Sequence, residues 1–368
     1  MIEIVSLGFI LLYLGYLFFE KYYHKRLRSK LKHVIHVNGI RGKSTTCRLI
    51  DAGLREAGYK VFTKTTGTIP SIINVSNEVK PLTRFGRANI IEQYKILRKA
   101  VKEKADILVI ECMAITPELQ NLSNRILDSD ITIITNIYHD HVDVMGSTLD
   151  DIAKSLSKST PIKGSLILPT NTYSIFEEKA YANQTTIHYT NAYKGKDLFN
   201  TFKENIEIAL KVAEVLNIDE NVFLKGFSNY HPDKGAFSIY KLDETIFFNG
   251  FSINDPDSIK RVYQQMQETY QGQPFSILIN FRDDRHSRTH QHIELLKTLQ
   301  FETLYIMGNN TSYVKNKLKR ANIDAQIYHK KHPIKEKFLF GMGNYKNTDS
   351  IVEMYKQGEQ ILPWKSLS

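Results

Sequence analysis

The chain opens with sixteen uncharged residues, Ile4 to Phe19, nearly all bulky and apolar, bracketed by Glu3 and Glu20. As a helix this run spans about 24 Å, against about 30 Å of hydrocarbon in a bilayer. Tyr22 and Tyr23 read as an interfacial pair, and Lys21, Lys25, Arg26, Arg28, Lys30 and Lys32 form a basic stretch behind them. The expectation is a transmembrane helix over residues 1–20 and a basic juxtamembrane segment over 21–32. A secretory signal peptide would carry its positive charge before the apolar run, and here the charge follows it. The positive-inside rule places the N-terminus outside and everything after Lys21 in the cytoplasm. The expected location is therefore the cell membrane, single-pass, with a cytoplasmic catalytic domain.

From His33 the pattern changes to short β-branched runs alternating with helical spacing. His33–Val37, Lys60–Phe62, Ile107–Ile110, Ile131–Ile134 and Ser165–Leu168 read as strands, and the continuous apolar character of ILVI and ITII suits strands buried on both faces of a parallel sheet. Gly42–Ala57, Ile90–Lys102 and Phe202–Leu216 read as helices. Tyr230–Gly235 is turn-rich and marks a hinge. Beyond it, strands at Thr245–Phe251, Phe275–Phe281, Thr303–Met307 and Lys337–Gly341 alternate with helical stretches near 256–270, 288–299, 311–321 and 349–360. The predicted class is α/β: an N-terminal transmembrane helix, a larger domain with a parallel sheet over 33–232, and a smaller Rossmann-like domain over 233–368.

Composition changes this picture little. Of 368 residues, 42% are hydrophobic and 24% charged, which excludes a disordered, collagen-like or multi-span membrane chain. The net charge is +10, and the first 32 residues account for four of those charges. The remaining surplus says that the protein meets anions, without saying which. Two cysteines, Cys47 and Cys112, make neither a disulfide framework nor a cysteine zinc site.

The chemistry concentrates in Asn38-Gly39-Ile40-Arg41-Gly42-Lys43-Ser44-Thr45-Thr46. It follows a predicted strand and opens a predicted helix, the context a phosphate-binding loop requires. Gly39 and Gly42 let backbone N–H groups turn toward phosphate oxygens, the helix N-terminus adds positive potential, Lys43 reaches the β- and γ-phosphates, and Ser44 can ligate Mg²⁺. Val37 stands where the eight-residue pattern has glycine, so the loop is the six-residue variant G-x-x-G-K-S. Two further strands end in polar clusters: Glu111-Cys112-Met113-Ala114, and Thr135-Asn136 followed by His139, Asp140, His141 and Asp143. In a parallel sheet these ends share one rim with the loop. A carboxylate there suits Mg²⁺, and a histidine can complete a second metal site. Glu111 is otherwise a structural strand-end acid, and the His139/His141 pair a zinc-like or surface cluster. Cys112 is most simply a packing residue.

G-I-R-G-K-S-T-T, E-C-M-A and T-N-I-x-x-D-H-x-D together resemble the central ATPase domain of the Mur ligase superfamily. Within it the chain is similar to the poly-γ-glutamate synthetases of the CapB/PgsB type, on the form of the loop at 38–45, GYKVFTKTTGT at 58–68 and D-H-V-D-V-M-G at 140–146. The resemblance continues through Phe248–Phe251, Asn254-Asp255, Asn280-x-Arg282-x-Asp284-Arg285 and Gly341-x-Gly343-Asn344.

This resemblance implies an ATP-dependent amide ligase of capsule biosynthesis in bacteria. The γ-phosphoryl passes to a carboxylate, and an amine displaces phosphate from the acyl phosphate. Lys43, Glu111 and His141 are then the catalytic residues, with Ser44, Glu111 and His141 holding Mg²⁺, two ions in all. ATP is implied at Asn38, Gly39, Ile40, Arg41, Gly42, Lys43, Ser44, Thr45, Asn136, Asn205, Arg282 and Asp284; substrate at Thr65, Thr66, Thr68, Arg285 and Arg288. Read without the resemblance, Asn205 is an exposed helix residue, and Arg282, Arg285 and Arg288 a solvated face. Ser155, with Lys154 beside it, stands where many Mur ligases carry a carbamylated lysine, and Pro232-Asp233-Lys234-Gly235 lacks their hinge arginine. The implied partners are glutamate, poly-γ-glutamate and a multi-span membrane subunit of the same synthase, with the membrane itself reached through the N-terminal helix. Nucleic acid is not expected, and an oligomer is left open. The alternative is a membrane-tethered P-loop ATPase that drives transport or assembly without ligase chemistry.

Overall fold

The computed structural model describes residues 2–67, 69–84, 88–140, 142–169, 173–190, 203–233, 235–253, 255–281, 286–329 and 332–361, the side chains of 2–5, 142 and 286–288 excepted. They divide into two units, one within Met1–Tyr193 and Lys203–His231, the other within Pro232–Ser368.

In the first unit, strands β1 (His33–Asn38), β2 (Val61–Thr65), β3 (Ser71–Ile73), β4 (Val79–Pro81), β5 (Ile107–Glu111), β6 (Ile131–Ile134), β7 (Ser165–Leu168) and β8 (Thr186–Tyr189) form one sheet in the order β4-β3-β2-β5-β1-β6-β7-β8. Only β3 and β4 run antiparallel to their neighbours. The helices are α1 (Ile2–Arg28), α2 (Lys43–Glu56), α3 (Glu92–Lys102), α4 (Pro117–Leu127), α5 (Val142–Met145), α6 (Leu149–Leu156), α7 (Ser174–Asn183), α8 (Lys203–Val215) and α9 (Glu220–Gly226). β5 is buried at every position, as a strand covered on both faces must be. β1 lies between β5 and β6, with Val37 opposite Glu111 and Asn38 opposite Ile134. The C-terminal ends of these three strands therefore lie side by side, and the loop that opens α2 leaves from the middle one. Sequence reading passes over α4, although Thr116 caps it by accepting from the Leu119 N–H and Pro117 opens its first turn.

The expected transmembrane helix is not there: among the described residues, no helix is long and apolar enough to cross a membrane. This corrects the expected 1–20 span, the attachment to a membrane through it and the single-pass placement with a cytoplasmic catalytic domain. The apolar run is about 24 Å long, short of about 30 Å, and α1 continues unbroken past it to Arg28. Its apolar side chains from Leu7 to Phe19 are exposed, whereas its last turns are docked. Leu27 is buried in a core cluster with Val34, Leu97, Leu108 and Leu127, as is Leu31 just beyond the helix. His24 Nε2 meets the Ile126 carbonyl at 2.6 Å. Arg28 donates to the carbonyls of Leu127 at 3.1 Å and Asp128 at 2.9 Å, and to Asp130 Oδ2 at 2.5 Å. That same oxygen accepts the Val34 N–H at 2.7 Å, so the end of α1 and the start of β1 share one carboxylate. Arg28→Ala is expected to lower unfolding stability by about 2–3 kcal/mol, because it leaves carbonyls and a carboxylate without their charged donor; urea denaturation measures it.

In the second unit, β9 (Ser238–Leu242), β10 (Thr245–Asn249), β11 (Ser276–Phe281), β12 (Leu304–Gly308), β13 (Gln326–Ile327), β14 (Phe338–Met342) and β15 (Glu359–Ile361) form a sheet in the order β13-β12-β11-β14-β10-β9-β15. The first five in that order are parallel; β9 runs antiparallel to β10, and β15 antiparallel to β9. The helices are α10 (Pro256–Thr269), α11 (His286–Leu296), α12 (Thr311–Arg320) and α13 (Asp349–Lys356). Aromatic side chains dominate the core: Phe248, Phe275, Phe340 and Tyr263 pack in one cluster, Phe247, Phe251 and Tyr355 in another.

Candidate active site

The loop between β1 and α2 is shaped by two left-handed glycines. Gly39 has φ +115°, and a Cβ there would meet the Thr135 backbone nitrogen at 2.7 Å. Gly42 has φ +77°, and a Cβ there would run into the side chain of Asn205. Only glycine fits either position. The end of β6 holds the loop from one side. The Asn136 side chain accepts from the Arg41 N–H at 2.8 Å and donates to the Arg41 carbonyl at 3.0 Å, and Thr135 Oγ1 donates to that carbonyl at 2.6 Å. Ile40 N–H reaches the Asn136 carbonyl at 3.3 Å, and Arg41 pairs with Asp140 at 3.0 Å. Asn38 is buried beneath: its Oδ1 accepts from Gly39 N–H at 2.8 Å, and its Nδ2 donates to Gln120 at 2.6 Å and Ser159 at 2.9 Å. Asn38 and Asn136 thus brace the loop with their side chains. Asn205 is buried on α8, and Thr46 Oγ1 donates to it at 3.3 Å; the reading of an exposed helix residue does not hold.

Lys43 and Ser44 begin α2, with Thr45 in the same turn. Lys43 Nζ donates to the carbonyls of Gly39 at 2.6 Å and Ile40 at 3.1 Å. Burial pushes its pKa below the usual lysine range, and the nearby Glu111 carboxylate works against that shift. Ser44 Oγ donates to Glu111 Oε2 at 2.7 Å, and the Thr66 N–H reaches the same oxygen at 2.6 Å. Thr65 sits deeper, its hydroxyl 2.9 Å from Ser71 Oγ and 3.4 Å from Arg48 Nη2. A cavity of about 270 Å³ opens here, lined by Gly39, Lys43, Thr66, Arg84 and Glu111 among others. Burial raises the Cys112 thiol pKa, which leaves it protonated and inert, as a packing residue should be. Lys154 is exposed and Ser155 buried.

Thr68, His141, Arg282, Asp284 and Arg285 lie outside the described residues, and Arg288 belongs to α11 of the second unit, its side chain undescribed. Among the described residues no three His, Cys, Asp or Glu side chains cluster to hold a metal. The donors at the loop are a hydroxyl and one carboxylate, both oxygen, 2.7 Å apart. That set fits Mg²⁺, which is held by one or two protein oxygens and completes its shell with water and substrate phosphates.

Sequence reading misses one cluster beside the cavity. Lys64, in β2, is fully buried and lies 3.1 Å from Glu92 Oε1, and Arg84 pairs with the same carboxylate. A lysine inside the strand V-F-T-K-T is the available signal, since a buried strand carries a cation only when an anion meets it.

Residues 37–214 match the Mur ligase middle domain family, and residues 236–359 the family described as poly-gamma-glutamate synthase CapB C-terminal domain. The chain is similar to PGA synthase CapB of Bacillus subtilis (strain 168), 34% identical over 364 residues, spanning 95% of this chain and 89% of that one. It is similar to capsule biosynthesis protein CapB of Bacillus anthracis at 30% identity, spanning 98% of this chain and 84% of that one. Its fold is like that of the bifunctional folylpolyglutamate synthase/dihydrofolate synthase of Yersinia pestis, solved with AMPPNP and Mn, at a TM-score of 0.70 and 14% identity over 89% of this chain and 90% of that one.

Proposed function

Since this chain belongs to the CapB family of poly-γ-glutamate synthases, and is with that family an ATP-dependent amide ligase, we propose that it extends poly-γ-glutamate through an acyl phosphate formed at the α2 loop. The observation that carries this reading is the meeting of Lys43 and Glu111 at one cavity, with Ser44 hydrogen-bonded to Glu111, beside a loop whose backbone turns at two obligatory glycines.

A carboxylate is a poor electrophile, and phosphorylation supplies a leaving group. The γ-phosphoryl passes from ATP to the substrate carboxylate and ADP departs. The glutamate amine then attacks the carbonyl carbon, the C–N bond forms, the C–O bond to phosphate breaks, and the amine proton goes to solvent. Loop N–H groups, the α2 N-terminus and Lys43 hold the β- and γ-phosphates in line and stabilise the charge on the transferring group. Ser44 and Glu111 would hold Mg²⁺, which neutralises phosphate charge when bound. A second ion, with His141 as its ligand, and contacts to substrate from Thr66 and to the nucleotide from Asn205 complete the reading.

Each added residue brings one negative charge, and a polyanion does not cross a bilayer unaided. A multi-span membrane subunit of the same synthase is therefore the partner we expect for export. The decisive assay is ADP release. It is expected to rise with glutamate and not with neutral amino acids; release indifferent to every amino acid would leave only an ATPase.

A further inference from the structure

Three charged side chains converge beside the loop without belonging to it. Lys64 Nζ, with no exposed side-chain surface, lies 3.1 Å from Glu92 Oε1 of α3. Arg84 grips the same carboxylate with two nitrogens: Nε donates to Oε2 at 2.6 Å, and Nη2 to Oε1 at 2.9 Å. Two cations share one anion, so the cluster carries a net positive charge. It is partly shielded from water, with the Glu92 side chain 12% and that of Arg84 23% exposed, so that charge is screened less than a surface one.

Arg84 also lines the cavity of about 270 Å³ that Lys43, Thr66 and Glu111 line. The volume lies below the roughly 300–1,000 Å³ of drug-sized sites and suits one amino-acid-sized group. Glu92 fixes the plane of the guanidinium, and a fixed planar guanidinium selects carboxylates and phosphates by geometry as well as by charge. The nucleotide already has the loop N–H groups and Lys43 for its phosphates. The glutamyl substrate, by contrast, brings a carboxylate beyond the one that reacts, and nothing else described in this cavity answers it.

We propose that Arg84 binds the non-reacting α-carboxylate of the glutamyl substrate, with Glu92 and Lys64 as positioning residues, and so favours a γ-carboxylic substrate that carries this group over one that lacks it. This rests on the ligase reading above and names the group that gives it substrate specificity.

The test is Arg84→Gln, with glutamate, 4-aminobutyrate (which keeps the reacting carboxylate and lacks the other) and a non-hydrolysable ATP analogue as probes. The expected result is a KM for glutamate raised at least about tenfold and a fall of at least about tenfold in the glutamate-to-4-aminobutyrate ratio of kcat/KM, one such contact being worth about that much. Affinity for the ATP analogue should stay within about twofold of the parent. Arg84→Lys, which keeps the charge and loses the fork, should fall between the two and guards against a glutamine variant that does not fold. Glu92→Gln should raise the same KM with a smaller change in kcat. An unchanged glutamate KM and an unchanged ratio in folded variants would overturn the proposal. So would a loss confined to the ATP analogue, which would assign the cluster to phosphate. If the parent's ADP release ignores glutamate, it is the ligase reading that fails. Calorimetric titration of glutamate into parent and Arg84→Gln then decides the site by itself, with equal affinities counting against it.

Discussion

Lys43→Ala is expected to lower nucleotide turnover by at least about a hundred- to thousand-fold while the protein stays folded. Removing one preorganised donor aimed at developing charge costs about that much in other enzymes. The ammonium is held by the Gly39 and Ile40 carbonyls and sits in the cavity that Glu111 also lines. Burial desolvates the ammonium, which lowers its pKa, so alanine relieves desolvation even as it gives up two hydrogen bonds to the loop. Those opposing effects keep the loss of stability small beside the loss of rate. The measurement is ADP release beside a thermal unfolding midpoint. A folded Lys43→Ala protein with near-parental turnover would remove the loop from the chemistry.

Glu111→Gln should shift the Mg²⁺ concentration for half-maximal rate upward by about tenfold or more. The amide keeps an oxygen that can accept the Thr66 N–H, so the local backbone is supported, but the charge that attracts a divalent cation is gone. Ser44 loses its charged acceptor as well, which leaves the hydroxyl less well oriented. The effect should therefore lie in metal dependence far more than in unfolding. Superimposable Mg²⁺ titrations for variant and parent would show that Glu111 is not a ligand.

The arrangement around the loop was largely legible because one topological fact governs it. The G-x-x-G-K-S run follows a β-branched strand, and two other apolar runs end in polar residues. Once β1 lies between β5 and β6, those ends have nowhere to be but beside the loop. What sequence could not supply was the third dimension of polar residues whose partners are far away in the chain. Asn205 looks like a solvent-facing position on an amphipathic helix, and Gly42, 163 positions earlier, is what it packs against. Lys64, Arg84 and Glu92 come from a strand, a connection and a helix, with no shared spacing to betray their meeting. The N-terminal run misleads for a different reason. Apolarity alone reads as membrane, but this helix owes its placement to its polar end, where His24 and Arg28 satisfy carbonyls at the close of α4.

That docking end also sets where the polypeptide can be shortened for production. A version beginning near residue 20 would shed the exposed apolar turns of α1 yet retain His24, Leu27 and Arg28. One beginning at His33 would strip the donors from the Leu127 and Asp128 carbonyls, uncover Leu127, and leave Asp130 to hold Val34 with no guanidinium beside it. Because Leu27 and Leu31 belong to the core and Val34 to the strand that delivers the phosphate loop, the wrong starting residue would cost folding stability first and nucleotide affinity with it.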